Sequence, residues 1–188
     1  PRNVAYVRVG APVGERGDWT MRGALTQTDM SSWIVAGSYA TRAPARHRYD
    51  AGMSYSTQRY DDGSPLSRSD FPDGTRSAGT LYAFDSFSVS PAVTLTYGTS
   101  YSRYDYLDER SLLSPRVELT VSAVGNFRIT AQASRRALAP GAEEFLPPAE
   151  TGIWMPAQRT FSALGPSDRF EAERTTHLGV GVERDFGI

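Results

Sequence analysis

Residues 92–104 read AVTLTYGTSYSRY. Val93, Leu95, Tyr97, Thr99 and Tyr101 fall on one parity, and Thr94, Thr96, Gly98, Ser100 and Ser102 on the other. A period of two is that of an extended strand, whose side chains point alternately to opposite faces. The pattern holds for about ten residues, where a soluble strand usually runs to about 5–6. A strand that crosses a bilayer needs about 9–11.

The same alternation recurs on both sides of this stretch. In 47–60, Tyr49, Ala51, Met53, Tyr55 and Thr57 oppose Asp50, Gly52, Ser54, Ser56 and Gln58. In 116–123, Val117, Leu119, Val121 and Ala123 oppose Arg116, Glu118, Thr120 and Ser122. In 127–136, Phe127, Ile129, Ala131 and Ala133 oppose Arg128, Thr130, Gln132, Ser134 and Arg136. In 175–186, Leu178, Val180 and Val182 oppose His177, Gly179, Gly181, Glu183 and Asp185. Less regular strands are predicted at 3–10, 19–28, 33–42 and 77–89. The fold class is therefore all-β, with about nine long antiparallel strands. No apolar run approaches the 18 or so residues of a membrane helix.

The connections alternate in length. Short ones are predicted at Ala43–Ala45, Ser90-Pro91 and Gly125-Asn126, and long ones at 61–75, 105–114 and 138–170. Short turns on one rim and long loops on the other are the pattern of outer-membrane barrels, with the long loops outside the cell. A soluble sandwich would alternate in the same way but would bury its apolar face against a second sheet. Two features favour the barrel. The apolar face is rich in Ala, Val and Thr rather than large packing residues. Aromatics also gather near strand ends, at Tyr6, Trp19, Trp33, Tyr39, Tyr60, Tyr97, Tyr101 and Phe127, as in the girdles at the two membrane–water interfaces.

The polar parity carries charge deep inside the strands: Arg22, Asp50, Glu118, Arg128, Arg136 and Glu183, with His177 on the same side of its strand. A packed core does not tolerate such groups unpaired, whereas an aqueous lumen does. These seven are the expected lumen-facing residues, and Arg–carboxylate pairs are expected between neighbouring strands.

Composition removes several functions. The 188 residues carry 20 basic and 21 acidic side chains, a net charge of −1, and every basic residue is Arg. There is no basic footprint for nucleic acid. With no Cys there is no disulfide framework, thiol nucleophile or zinc–thiolate site. The chain starts at Pro1 with no signal peptide, as expected of a processed chain or an excerpt of a longer one.

The stretch 113–148, LSPRVELTVSAVGNFRITAQASRRALAPGAEEFLPP, resembles the C-terminal half of a TonB-dependent outer-membrane receptor barrel. The similar elements are Ser114-Pro115-Arg116 opening a strand, the Gly125-Asn126 turn, Ser134-Arg135 with Ala139-Pro140, and a long loop leading to Glu173-Arg174-Thr175 and LGVGVE at 178–183. Upstream, Asp85-Ser86-Phe87, Pro91 and the Tyr-rich run from Tyr97 to Tyr106 are similar to the preceding hairpin of that family. The resemblance covers 81–186, and residues 1–80 match only as generic barrel strands. It implies that residues 1–188 are part of one outer-membrane β-barrel domain, with the family's plug domain and energy-coupling box not visible in this chain. A transporter of this class closes with about 22 strands, so the chain is expected to form an incomplete, transmembrane barrel segment. The implied activity is binding a scarce nutrient outside the cell and passing it through the lumen, energised by an inner-membrane complex. The implied partners are outer-membrane lipid, a small-molecule or peptide substrate and that complex. The implied location is the bacterial outer membrane.

No catalytic constellation stands out. His47 and His177 are the only histidines, and neither has a second His at metal spacing. No nucleophile elbow precedes any Ser, and no phosphate-cradling Gly loop is present. The acidic stretch 61–74, DDGSPLSRSDFPDG, lacks EF-hand spacing. No cofactor, metal or enzyme activity is expected. Within 138–170, Trp154, Arg159, Phe161 and Arg169 are the candidate ligand-binding residues, alongside Phe145, Met155 and Phe170. Aromatic and Arg side chains suit a recognition surface. The other reading of this loop is that it folds over the barrel mouth with its aromatics packed inward. Two further functions stay open: a structural barrel that acts as a scaffold without transport, and an outer-rim barrel hydrolase dependent on His47 or His177. A soluble sandwich adhesin is a third.

Overall fold

A computed structural model describes residues 3–27, 30–42, 44–60, 75–123, 126–145 and 170–184. They form a single sheet of nine antiparallel strands in sequence order. The strands are β1 (Asn3–Val13), β2 (Gly17–Gln27), β3 (Met30–Thr41), β4 (His47–Tyr60), β5 (Thr75–Ser90), β6 (Val93–Tyr104), β7 (Ser111–Ala123), β8 (Phe127–Leu138) and β9 (Glu173–Arg184). Every strand is 11 residues or longer. β1 and β9 are the free edges, so the sheet is an open segment of a barrel.

All nine predicted strands are present. Most are longer than their alternation suggested, and β7 differs most. It begins at Ser111 rather than Arg116, so the expected loop 105–114 shrinks to 105–110. Pro115 explains the masked signal. A proline has no N–H to give a ladder. Pairing of β7 with β8 stops at Arg116↔Ser134, while pairing with β6 continues through Thr99↔Pro115 to Arg103↔Ser111. Beyond the proline, Ser114 Oγ accepts the Ala137 N–H at 3.0 Å and holds β8 in place of a ladder bond.

The rims differ as expected. One carries only short turns: 14–16, 42–46, 91–92 and 124–126. Gly14 and Asn126 take φ values of 59° and 62° there, a region that Gly and Asn enter most cheaply. The other carries the connections 61–74, 105–110 and 139–172, together with the two-residue link 28–29.

The register assigns every strand residue to a face. Nearly all the exposed large hydrophobics share one face, among them Val7, Met21, Val35, Met53, Leu81, Val117, Leu119, Ile129 and Val180. Val4, Tyr6 and Leu138 lie on the other, and Val89 falls in the irregular step between Ser88 and Ser90. Trp19, Trp33, Tyr39, Tyr97, Tyr101 and Phe127 stand on the apolar face as expected. Tyr6 does not: it pairs with Ala24 on the polar face, since the parity of β1 is set by Val7 and Val9. Tyr60 pairs with Met30, and its side chain lies outside the described ones. Tyr97 is 43% exposed, and no second sheet covers its side among the described residues. The described residues thus form no sandwich core.

Several close approaches across the sheet need glycine. The Phe84 ring and the Ala83 carbonyl occupy the space where a Gly98 side chain would begin, and Tyr82 does the same at Gly52. An aromatic laid over a cross-strand glycine restores apolar contact that the missing side chain forfeits.

Candidate functional site

The polar face is the first candidate. All seven charged or ionisable residues predicted for one side of the strands share it. Arg22 on β2 is flanked by Arg8 and Ala36, and Asp50 on β4 by Ala40 and Phe84. Glu118 on β7 lies between Thr96 and Gln132. Arg128 faces Glu183, Arg136 faces Thr175, and His177 faces Ser134 across β8 and β9. Thr, Ser, Gln and Gly fill most remaining positions of β6 to β9, with Gly179 and Gly181 beside Gln132 and Thr130, while Ala24, Ile34, Tyr82 and Phe84 interrupt the face on β2, β3 and β5. The charged groups are spread across the face rather than gathered in a single cluster.

The expected ion pairs form in part. Arg128 Nη1 lies 3.6 Å from Glu183 Oε2 across the β8–β9 pair. Arg116 Nη2 lies 2.5 Å from Glu118 Oε2 along β7. At the short-turn rim, Arg42 donates to both oxygens of Asp18, at 2.7 and 2.5 Å. Accepting those bonds, the carboxylate holds the Arg42 guanidinium above its ordinary pKa. Such exposed pairs add little stability. Arg136 and His177 are brought together with Ser134, Leu138, Glu173 and Thr175 around a cavity of about 250 Å³.

A second feature was not legible in the sequence. At the long-loop rim the polar face is capped by a knot of side chains from distant segments. Tyr104, Leu107, Leu112, Ala78, Ala139, Ala142 and Phe145 are buried together, with Tyr106 and Phe170 packed against them. The chain leaves β8 through Ala139-Pro140, turns at Gly141 (φ 71°), and forms a short 3₁₀ turn at Ala142–Phe145. Tyr106 is the hub. Its hydroxyl donates to the Pro140 carbonyl at 2.8 Å, its ring stacks on Phe145 at 5.8 Å, and it meets Phe170 edge-on at 6.0 Å. The Arg76 guanidinium lies 5.0 Å from the Tyr106 ring centre and 5.5 Å from that of Phe170. Beneath the cap, Arg22, Ala36, Ser54, Tyr82, Tyr104 and Phe145 line a cavity of about 220 Å³. Thus the two described aromatics of the loop 138–170 point inward. Trp154, Arg159, Phe161 and Arg169 lie outside the described residues, as does the acidic stretch 61–74.

The two histidines lie apart. His47 Nδ1 lies 2.7 Å from Asp85 Oδ2, and Tyr97 donates its hydroxyl to the same oxygen at 3.0 Å. The His47 ring stacks on Phe87 at 4.4 Å and on Tyr49 at 5.8 Å. This cluster is on the apolar face near the short-turn rim, five strands from His177. No Ser or Thr hydroxyl bonds to His47 among the described residues. The arrangement is an aromatic patch anchored by the His47–Asp85–Tyr97 contacts at its centre. Among the described residues no group of three His, Cys, Asp or Glu could hold a metal.

A family model described as "TonB dependent receptor-like, beta-barrel" matches residues 3–187. No curated protein and no solved structure matches the chain.

Proposed function

Because the chain belongs to the TonB-dependent receptor-like β-barrel family, we propose that it forms part of the wall of an outer-membrane receptor that takes up a scarce nutrient. Residues 1–188 then belong to one barrel domain whose remaining strands continue from the free edges of β1 and β9. The apolar face meets lipid and the polar face lines the lumen. Arg22, Asp50, Glu118, Arg128, Arg136, His177 and Glu183 contact water and passing substrate. The long-loop rim faces outward, and the capped cavity beside Arg22, Tyr82 and Tyr104 lies at the entrance. Trp154, Arg159, Phe161 and Arg169 extend that recognition surface from the same loop. Transport is energised by an inner-membrane complex acting through a plug domain, and the chain itself carries out no catalysis.

The observation that supports this reading is the division of the sheet. Large hydrophobics stand exposed on one face, and charges run deep into the strands on the other. Soluble monomers rarely leave so wide an apolar surface uncovered. A lipid-facing barrel wall requires it, because hydrocarbon offers polar groups no partner.

The absence of Cys supplies a clean test. Met53 and Ser54 are adjacent on β4 and point to opposite faces. In the full receptor in its native membrane, Ser54→Cys reacts with a water-soluble maleimide and Met53→Cys does not. Equal labelling of the two overturns the assignment of lipid and lumen. Accumulation of a labelled nutrient that stops when the proton gradient is collapsed tests the energised step.

A further inference from the structure

The apolar face carries ionisable groups near both rims: His47, Asp85 and Arg184 at the short-turn end, and four arginines at the other. Arg59, Arg103, Arg135 and Arg174 all lie on it by register. Arg59 and Arg103 are the penultimate residues of β4 and β6, Arg174 is the second residue of β9, and Arg135 lies three residues short of the end of β8. All four are therefore at the long-loop end. No strand carboxylate shares that end of the face. Arg174 pairs with Glu109 of the 105–110 loop. Arg103 stands exposed over an open groove.

That groove has a volume of about 540 Å³ and follows three rows of the β4–β5–β6 register. The row furthest from the rim is Met53–Leu81–Tyr101, the middle row is Tyr55–Gly79–Arg103, and Ser77 and Asp105 close the top. Gly79 makes the notch: a side chain there would lie against Tyr55 and project into the space between Tyr55 and Arg103. Trp33 braces Tyr55 from behind, with ring centres 5.4 Å apart. One oxygen of Asp105, Oδ2, accepts the Ser77 backbone N–H at 2.8 Å. Along the groove the lining thus passes from hydrocarbon to the Arg103 cation, with the Ser77 hydroxyl and the Asp105 carboxylate nearest the rim.

A groove of that gradient matches one amphiphile laid parallel to the strands. Guanidinium pairs with phosphate through a fork of matched hydrogen bonds. An Arg on a lipid-exposed strand is costly at mid-membrane and nearly free at the interface, where it reaches the headgroups. We propose that the arginine belt binds phosphate-bearing lipids of the outer leaflet, and that one such lipid seats an acyl chain over Leu81 and Tyr101 with its phosphate on Arg103. The inference rests on the reading that the apolar face meets lipid. The site lies on the opposite side of the wall from the capped cavity, so it concerns anchoring in the membrane rather than the substrate.

The test is native mass spectrometry of the full receptor, released from neutral detergent after titration with phosphatidic acid, with diacylglycerol of the same chains, or with inorganic phosphate. Wild type retains phosphatidic acid, and neither diacylglycerol nor inorganic phosphate competes. Arg103→Gln weakens retention roughly tenfold, the value of one lost charge-assisted contact, and Arg103→Lys falls between. Gly79→Leu, which fills the notch, also loses the lipid although Arg103 remains. Each variant is first shown to be a folded barrel by its heat-dependent gel migration. If Gly79→Leu fails that check, the two Arg103 variants decide. Equal retention by wild type and Arg103→Gln overturns the proposal, as does displacement by inorganic phosphate or diacylglycerol. Those results leave the Met53 and Ser54 labelling untouched, so this inference and the uptake reading fail separately.

Discussion

His47 holds Asp85 through a 2.7 Å contact on the apolar face, where Asp85 is almost fully covered and His47 is 40% exposed. Tyr97 gives the same carboxylate oxygen a second bond, and the other oxygen has no partner. Removing one member of a sheltered pair strands the other, which costs several kcal/mol when both are buried. His47 is the first residue of β4, and the nearby short-turn rim brings water close enough to reduce that cost. His47→Ala is therefore expected to lower stability by about 2 kcal/mol. The double replacement His47→Phe with Asp85→Leu recovers most of the loss, because the surrounding face is apolar. Urea titration of the folded receptor in lipid vesicles, followed by tryptophan fluorescence, measures both. A double variant weaker than the single one contradicts this account.

Val117 and Thr120 are three residues apart on β7 and point to opposite faces. Val117→Arg places a charge on the apolar face near mid-strand and, if that face meets lipid as proposed, is expected to cost about 2–4 kcal/mol. Thr120→Arg joins the charges already present on the polar face and is expected to cost under about 0.5 kcal/mol. The same vesicle titration checks both. Similar losses at the two sites would mean that the faces do not differ in solvent.

Much of this was legible in advance because a strand's side chains report its two environments directly. Val93, Leu95 and Tyr97 against Thr94, Thr96 and Gly98 give the face of β6 without any knowledge of its neighbours. The seven polar-face residues followed from the same alternation. The alternation of β7 starts cleanly only at Arg116, after Pro115, and the register shows that the proline's missing donor falls where β8 has already left the ladder. Tyr6 was misassigned because an aromatic near a strand end looks the same on either face. The cap was invisible for another reason. Arg76, Tyr106, Phe145 and Phe170 come from four separate segments, and no local pattern links them. Loop aromatics advertise contact but not its partner.

Gly98 and Gly37 separate two uses of glycine. A side chain at Gly98 would collide with the Ala83 carbonyl and the Phe84 ring, whereas one at Gly37 meets nothing within 4 Å. Overpacking of this kind costs about 1–3 kcal/mol. Gly98→Ala is expected to fall in that range, and Gly37→Ala to be neutral or to stabilise by about 0.5 kcal/mol through the unfolded chain. Unfolding midpoints of the two variants in one vesicle preparation give the comparison directly. Equal midpoints would show that Phe84 is not seated over Gly98.

Tyr106 ties the start of the long loop to the polar face by three kinds of contact, and they can be removed in order. Tyr106→Phe deletes the hydrogen bond to the Pro140 carbonyl, worth about 1 kcal/mol. The ring stays against Phe145, Phe170 and Arg76. Tyr106→Ala deletes the ring as well, for a total near 3 kcal/mol. Because the cap opens locally rather than with the sheet, the loss appears as faster amide exchange at Ala142–Phe145. The expected acceleration is about fivefold for Phe and over about a hundredfold for Ala, from the tenfold per 1.4 kcal/mol relation applied to those losses. Amides of the β7–β8 ladder, such as those of Thr120 and Thr130, keep their wild-type rates because Tyr106 does not touch them. Hydrogen–deuterium exchange of the folded receptor reads both regions in one sample. Unchanged exchange at Ala142–Phe145 in Tyr106→Ala would mean that the cap is held from elsewhere, and acceleration throughout the ladder would mean that it belongs to the barrel's cooperative core.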